Sequence, residues 1–431
     1  MRISSGMMFD AGATGITRQT AALLKVQQQL ASGRRVLTPG DDPVAASRAL
    51  DVSQANDVVT QFAGNQVAAN AALGLEDVKL EYAGELLQRV NELAIQAGGV
   101  AGNAAGRKAV ATELRGIYDQ LLGIANTKDE AGNYMFGGYM SNTVPFGGSI
   151  DSLIAGGEIV YQGDEGQRRL QVSSGRQIAI SDSGLDIFRR IPNGNGYFTT
   201  GYAAGNTGTA AIGAGSVNDP AAWSASPAKN VDVRFTVAAG VTTYDLVDTA
   251  TGKSLLTGVA PPTAVGNQRS YTNGQLINFK SQGAEPAFDL GGSVAISGNP
   301  ANGDSFNIAP ATTQSVFATV AKLIGALESG GMTPAALTKY SSDIGAAFTG
   351  NAQALNHIVG ARSRVGTRMN EIEAAQTMSG DLSLQYQQTL SELQDVDFAT
   401  AVTELTRRQA GLEAAQRSFL RISQLSLFNS L

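Results

Sequence analysis

Few residues in this chain combine a type and a spacing that could do chemistry. The single histidine, His357, lies in a helical pattern between Asn356 and Ile358, with no cysteine and no second histidine to join it. A catalytic or metal-binding imidazole needs partners at set geometry, so His357 reads as a packed or surface helical residue. Gly163-Asp164-Glu165-Gly166 brings two carboxylates together. It lacks the alternating acidic ligands and closing glutamate of a calcium loop, and reads as a hairpin turn. Asp41-Asp42 could pair for acid–base work, but Asp42 before Pro43 is explained by a helix N-cap with proline at the first helical position. The pairs Arg34-Arg35, Arg168-Arg169, Arg189-Arg190 and Arg407-Arg408 are scattered and read as solvated faces. Trp223, Tyr197, Tyr202, Tyr244 and Tyr271 could stack on a sugar, against the plainer reading of strand packing. No P-loop, nucleophile elbow, zincin motif or dinucleotide fingerprint is present in the sequence. The expectation is a protein without catalytic, cofactor-binding or metal residues.

Apolar residues at helical spacing are the more regular feature. Phe9, Ile16, Leu23 and Leu30 recur every seven residues with Val26 beside them. Leu405, Leu412 and Phe419 do the same near the other end, with Val402, Ala415 and Ile422 nearby. Both are coiled-coil-like seams, and both are thin. Gly6, Gly12 and Gly15 each cost about 1 kcal/mol against alanine inside a helix. The first helix, read over about Thr14 to Ala31 and stopped by Ser32-Gly33, is therefore marginal alone. A stripe without local cover is either a partner surface or is covered by a like stripe elsewhere in the chain. Pattern alone leaves both open. Phe9, Ile16, Leu23, Leu30, Leu405, Leu412, Phe419 and Ile422 are the candidate interface residues.

Between the seams the period changes twice. A long Ala-rich helix runs from Pro43 toward Gly98, a loop over Gly98 to Gly106 follows, and Val110, Leu114, Ile117, Leu121 and Ile124 mark another helix. From about Glu158 the period falls to two, in Ile159–Tyr161, Leu170–Val172 and Ile178–Ile180, then in Val231–Val237, Thr243–Val247, Leu276–Phe279, Val294–Ile296 and Ser305–Ile308. Ala203–Gly215 reads as a loop. Helices resume near Thr313 and pause at Gly330-Gly331. Thr333-Pro334 is a second N-cap with proline, and a last helix is read from about Leu382 to the end.

The predicted class is α+β: a discontinuous helical body from both termini, with coiled-coil ends, a helical bundle and a β-hairpin, carrying a β-rich inserted domain. The divisions are 1–45 and 385–431 for the terminal helices, 46–190 and 311–384 for the helical core domain, and 191–310 for the insert. A net charge of -6 and a pI near 5.0 argue against a surface built to hold nucleic acid. No uncharged apolar run approaches the roughly 18 residues of a membrane span, and the opening residues lack an apolar signal core. By default these features read as cytosolic.

The stretch Leu30-Ala31-Ser32-Gly33-Arg34-Arg35-Val36-Leu37-Thr38-Pro39-Gly40-Asp41-Asp42-Pro43-Val44-Ala45-Ala46 resembles the N-terminal signature of bacterial flagellins and flagellar hook-associated proteins. Leu87 to Gln96 resembles their long core helix, and Asp395-Val396-Asp397-Phe398 to Val402 their C-terminal signature. Asn133 to Tyr139, Tyr161 to Phe188 and the ending Leu425 to Leu431 resemble the branch of this family that joins hook to filament; filament flagellin is the alternative. The resemblance implies a structural protein that assembles with itself in a tube through paired terminal helices, between hook-associated protein 1 and flagellin. It implies an export chaperone at the C-terminal region, export unfolded without signal cleavage, terminal helices disordered in the monomer, and a place in the extracellular flagellum. It implies no nucleic acid, membrane or cofactor.

Overall fold

The long amphipathic patterns become long helices. The computed structural model describes the backbone of residues 5–329, 331 and 333–428, and side chains among them except those of 5, 6, 8, 265 and 422–428. The longer helices are α1 (Ser5–Ser32), α2 (Pro43–Gly99), α3 (Ala104–Ala125), α4 (Val316–Glu328), α5 (Pro334–Gln394) and α6 (Phe398–Phe428). A β-rich region lies between α3 and α4, which makes the fold mixed helical and β with helices at both ends.

Three boundaries differ from the sequence reading, each for a local reason. α1 begins at Ser5 and runs through all three early glycines. The loop predicted over Gly98–Gly106 shrinks to residues 100–103, because Asn103 accepts the Gly106 amide at 3.1 Å and starts α3 inside it. The last predicted helix is broken at 395–397, where Asp397 accepts the amides of Ala399 and Thr400 and caps α6.

The chain divides into two compact units. One comprises residues 1–67, 171–176 and 373–431; the other comprises 68–170 and 177–372. In the first, α1 pairs with α6, and among the described residues the buried apolar side chains are small: Val26, Ala45, Ala49, Val59, Val172 and Ala401. The turn between strands β1 (Arg169–Ser173) and β2 (Arg176–Ala179) is held in this unit by α2 side chains. Asn65 donates to the Gln171 carbonyl at 2.8 Å, and Gln66 donates to the Val172 carbonyl at 2.7 Å and to Ser379 at 2.9 Å.

The second unit has a heavier interior. Leu73, Leu80 and Leu87 of α2, Leu114 and Leu121 of α3, and Val365 of α5 are fully buried. Phe146 meets Phe188 at 5.8 Å and Phe317 at 5.3 Å, and Tyr118 meets Phe317 at 5.9 Å. The β-rich region of this unit has a core of its own, between two antiparallel sheets. One contains β3 (Phe198–Tyr202), β4 (Val231–Ala238), β5 (Val241–Asp248) and, lying between β3 and β4, the strand Ser305–Pro310. The other pairs Leu276–Lys280 with Asp289–Ser297. In β4 every second residue, Val231, Val233 and Phe235, is buried, as the period of two requires. The β4–β5 turn is Ala239-Gly240, both at positive φ (48° and 77°), the mirror-image turn that matches strand twist.

Candidate assembly interface of the terminal helices

The seam is visible in α1 as a three-and-four repeat. Gly12, Ile16, Gln19, Leu23, Val26 and Leu30 are buried or half-buried, while the residues between them are mostly exposed. In α6 the matching series is Ala401, Leu405, Arg408, Leu412, Ala415 and Phe419. The two series face each other. Phe9 and Phe419 stack with ring centroids 4.8 Å apart, tilted by 47°. A Cβ on Gly411 would lie 2.6 Å from the Gln19 side chain, and Arg34 bridges Asp395 in antiparallel register. These three levels make the helix pair antiparallel. A heptad step from Phe9–Phe419 puts Ile16 at the level of Leu412 and Leu23 at that of Leu405.

Seven of the eight candidate interface residues therefore lie along one helix pair. The side chain of Ile422 lies outside the described residues. Phe9 remains 51% exposed and the other six are half-buried, so the pair closes only part of its own seam.

Gly12 enters the sequence reading only as a helix penalty, yet it is part of the seam. A Cβ there would sit 2.8 Å from the Phe419 ring, closer than atoms can pack, so glycine makes room for the phenylalanine. Val26, placed beside the stripe, belongs in it. Gln19 and Arg408 are polar side chains at seam positions and carry no apolar signal.

The turns beyond the seam bring the two ends of the sequence together. Gly33 adopts φ 71° and lets the chain leave α1. The Arg35 amide donates to the Gln394 carbonyl at 2.6 Å, and the Val396 amide donates to the Gly33 carbonyl at 2.9 Å. The Arg35 guanidinium donates to the Leu393 carbonyl at 2.8 Å and pairs with Asp42 at 3.2 Å. Arg34-Arg35 is exposed, as read, and also forms the clasp between α1 and the α5–α6 turn.

Asp41 and Asp42 hold this turn. Asp41 pairs with Lys25 at 2.7 Å and accepts the amides of Leu37 and Thr38 at 3.1 and 2.9 Å. Lys25 and these amides hold its carboxyl down at about 2. Asp42 accepts the Ala45 amide at 3.0 Å, the N-cap read from Asp42-Pro43; that bond and Arg35 lower its pKa. Thr400 and its amide lower Asp397, and Arg407 and Arg408 lower Glu404.

The remaining chemical candidates have partners within the fold. His357 is half-buried, with Nε2 2.6 Å from the Asp186 carbonyl. Gly163–Gly166 is no hairpin turn: the strand Val160–Tyr161 pairs with Phe146–Gly147, and β1 pairs with β2, so the segment joins two separate ladders. Asp164 accepts the amides of Tyr139 and Gly166 at 2.9 and 2.7 Å, which anchors the Gly137-Gly138 turn. Arg168, Arg189 and Arg190 pair with Asp129, Glu158 and Glu165, and Arg407 and Arg408 share Glu404. The aromatic set, weighed between strand packing and sugar stacking, is mostly interior. Trp223, Tyr244 and Tyr271 are at most 9% exposed, and Tyr271 donates to the Ile296 and Gly298 carbonyls. Tyr202 is half-buried against Phe306 at 5.6 Å; only Tyr197 is exposed. Among the described residues, no group of three or more His, Cys, Asp or Glu could hold a metal ion.

Comparison with known proteins bears on both ends of the chain. Residues 3–141 match the bacterial flagellin N-terminal helical region, and residues 349–431 match the bacterial flagellin C-terminal helical region. A solved structure, flagellar hook-associated protein 3 from Legionella pneumophila, superposes with a TM-score of 0.70 at 31% identity, covering 79% of this chain and 98% of that one. The chain belongs to the flagellin family. Two curated relatives are flagellar hook-associated protein 3. That of Salmonella typhimurium is 36% identical over 191 residues, which is 44% of this chain and only 58% of the relative. That of Escherichia coli is 24% identical over 433 residues, 99% of each chain. Within the flagellin family, then, the likeness is to hook-associated protein 3, and the clasp at Arg35 joins the N-terminal signature to the C-terminal one.

Proposed function

We propose that this chain is a structural component of the bacterial flagellum that joins the hook to the flagellin filament. The observation that carries the reading is the half-closed seam. Two terminal helices meet in register, yet Phe9 and the heptad residues of both remain partly in solvent. Apolar surface of this kind gains about 25 cal/mol per Å² when further covered, and copies packed head to tail around an axis would cover it. Phe9, Ile16, Leu23, Leu30, Leu405, Leu412, Phe419 and Ile422 are the residues assigned to that assembly.

The same reading places hook-associated protein 1 on one side and flagellin on the other, and assigns an export chaperone to the C-terminal region. It has the chain leave the cell unfolded; a sequence without cysteine has no thiols to cross-link on the way. Marginal helices that gain cover only on assembly are expected to be disordered in the free monomer. Limited proteolysis should then trim both ends; protection of both would remove that part of the reading.

A deletion strain tests the function. Loss of this protein should leave hooks that release unpolymerised flagellin into the medium, and the intact gene should restore filaments. A strain that lacks filaments and releases no flagellin would point to filament flagellin instead.

A further inference from the structure

Outside the terminal helices, the second unit buries a charge cluster with an odd balance. Glu76 of α2 is 2% exposed, and neither carboxylate oxygen makes a well-formed hydrogen bond; the amide and carboxyl of Asp182 are its polar neighbours. Two charged groups face it. Asp182, from the segment that follows β2, is 4% exposed, and Arg368 comes from α5. Arg368 is already committed: it donates to Asp182 at 2.5 Å and to the Ala179 carbonyl at 3.1 Å. Gln167 donates to the other Asp182 oxygen at 2.9 Å. The nearby pairs on the same helices, Arg362 with Asp77 and Glu81 and Arg364 with Asp186, are in solvent contact and already paired.

The guanidinium neutralises Asp182 and leaves nothing for Glu76. An ionised carboxylate there would be buried, with only the Asp182 amide near it and beside a second carboxylate, which the interior tolerates poorly. We infer that Glu76 is a proton-binding site of the folded chain: it is a neutral carboxylic acid at neutral pH, and its ionisation weakens the seating of Ser181–Ser183 against α2. Burial, then the charge of Asp182, pushes its pKa up to about 8, with Arg368 and the Asp182 amide opposing.

The direction of the pH effect follows from linkage. The folded chain holds a proton that the unfolded chain releases near the ordinary value of 4.5. Stability from this site is therefore greatest below that value and falls as pH rises toward about 8. One proton of difference lowers the folding equilibrium constant roughly tenfold per pH unit inside the window.

The test uses the full chain. Denaturant unfolding of the wild type and Glu76→Gln at a series of pH values from 5 to 9 should show that decline in the wild type and its loss in the variant. Equal pH slopes in the two would overturn the proposal. Infrared spectroscopy of the wild type reads the proton directly and needs no folded variant. A protonated-carboxyl band should be present at pH 6 and vanish at alkaline pH; no such band at pH 6 would refute the site. In Asp182→Asn, Arg368 is free to pair with Glu76, so the band should vanish at a lower pH than in the wild type. An unchanged or higher pH would count against the assigned cause.

Discussion

The terminal helix pair and the β-rich insert bury apolar side chains in opposite ways. In the insert, Phe198, Val233, Leu246, Ile277, Phe306 and Ile308 are wholly enclosed between two sheets. In the helix pair, Ile16, Leu23, Leu30, Leu405, Leu412 and Phe419 stay half-buried, and Phe9 stays largely in solvent. The insert closes its core by folding. A two-helix seam has only one partner side, and leaves the rest of each side chain for another surface to cover. Burial is complete in one region and partial in the other.

The largest effect should come from the seam. Leu412→Asp with Phe419→Asp is expected to abolish incorporation into flagella while the insert keeps its native unfolding transition. Normal flagella would break the contrast, because the seam would then be no interface. Next comes the insert. Phe306→Ala should cost about 3–5 kcal/mol in denaturant unfolding, the usual range for a fully buried phenylalanine. A loss below about 1 kcal/mol, within the range of ordinary surface changes, would mean that the insert core is not what holds that region.

Gly12→Ala should have a smaller effect and a telling sign. Alanine favours a helix over glycine by about 1 kcal/mol, but its Cβ would meet the Phe419 ring. Assembly should weaken although the isolated α1 peptide becomes more helical by circular dichroism. If assembly strengthens, the Phe9–Phe419 register is wrong. The smallest effect should be that of acid on the clasp. Asp41, Asp42, Asp397 and Glu404 all have lowered pKa values in the folded chain. Their contribution is therefore present above the unfolded carboxylate values and lost as pH falls through the lower folded ones, for Asp41 at about 2. Protease cleavage at the α1–α2 turn should rise only below about pH 4, the ordinary carboxylate range. A rise between pH 5 and 7 would implicate other groups.

The two regions also differ in how legible they were. Heptads report burial on a helix without reference to anything distant, so Ile16, Leu23, Leu405 and Leu412 stood out. The alternation in β4 and in Leu276–Lys280 did the same for strands. The strand Phe198–Tyr202 gave little signal, because four of its five residues are only half-buried and Gly201 interrupts the pattern. The seam role of Gly12 and the clasp role of Arg35 were not legible, because they lie in what faces them, a phenylalanine ring and the Leu393 carbonyl. Trp223 and Tyr271 took the plainer reading of strand packing, and the structure buries both; an aromatic side chain suits a core and a sugar platform equally until its neighbours are known.

By itself the sequence determined the order of helical, β-rich and helical zones, the seam positions and the Asp42-Pro43 cap, since each follows from local periodicity or from hydrogen bonds within a single turn. Only the tertiary structure decided that α1 and α6 run antiparallel in one register, that Asp395–Asp397 ends one helix and starts another, that Arg35 clasps the two signatures, and that Arg368 is taken by Asp182 before Glu76 can use it. Those outcomes depend on which groups compete for the same partner across hundreds of residues, and no local pattern encodes the winner.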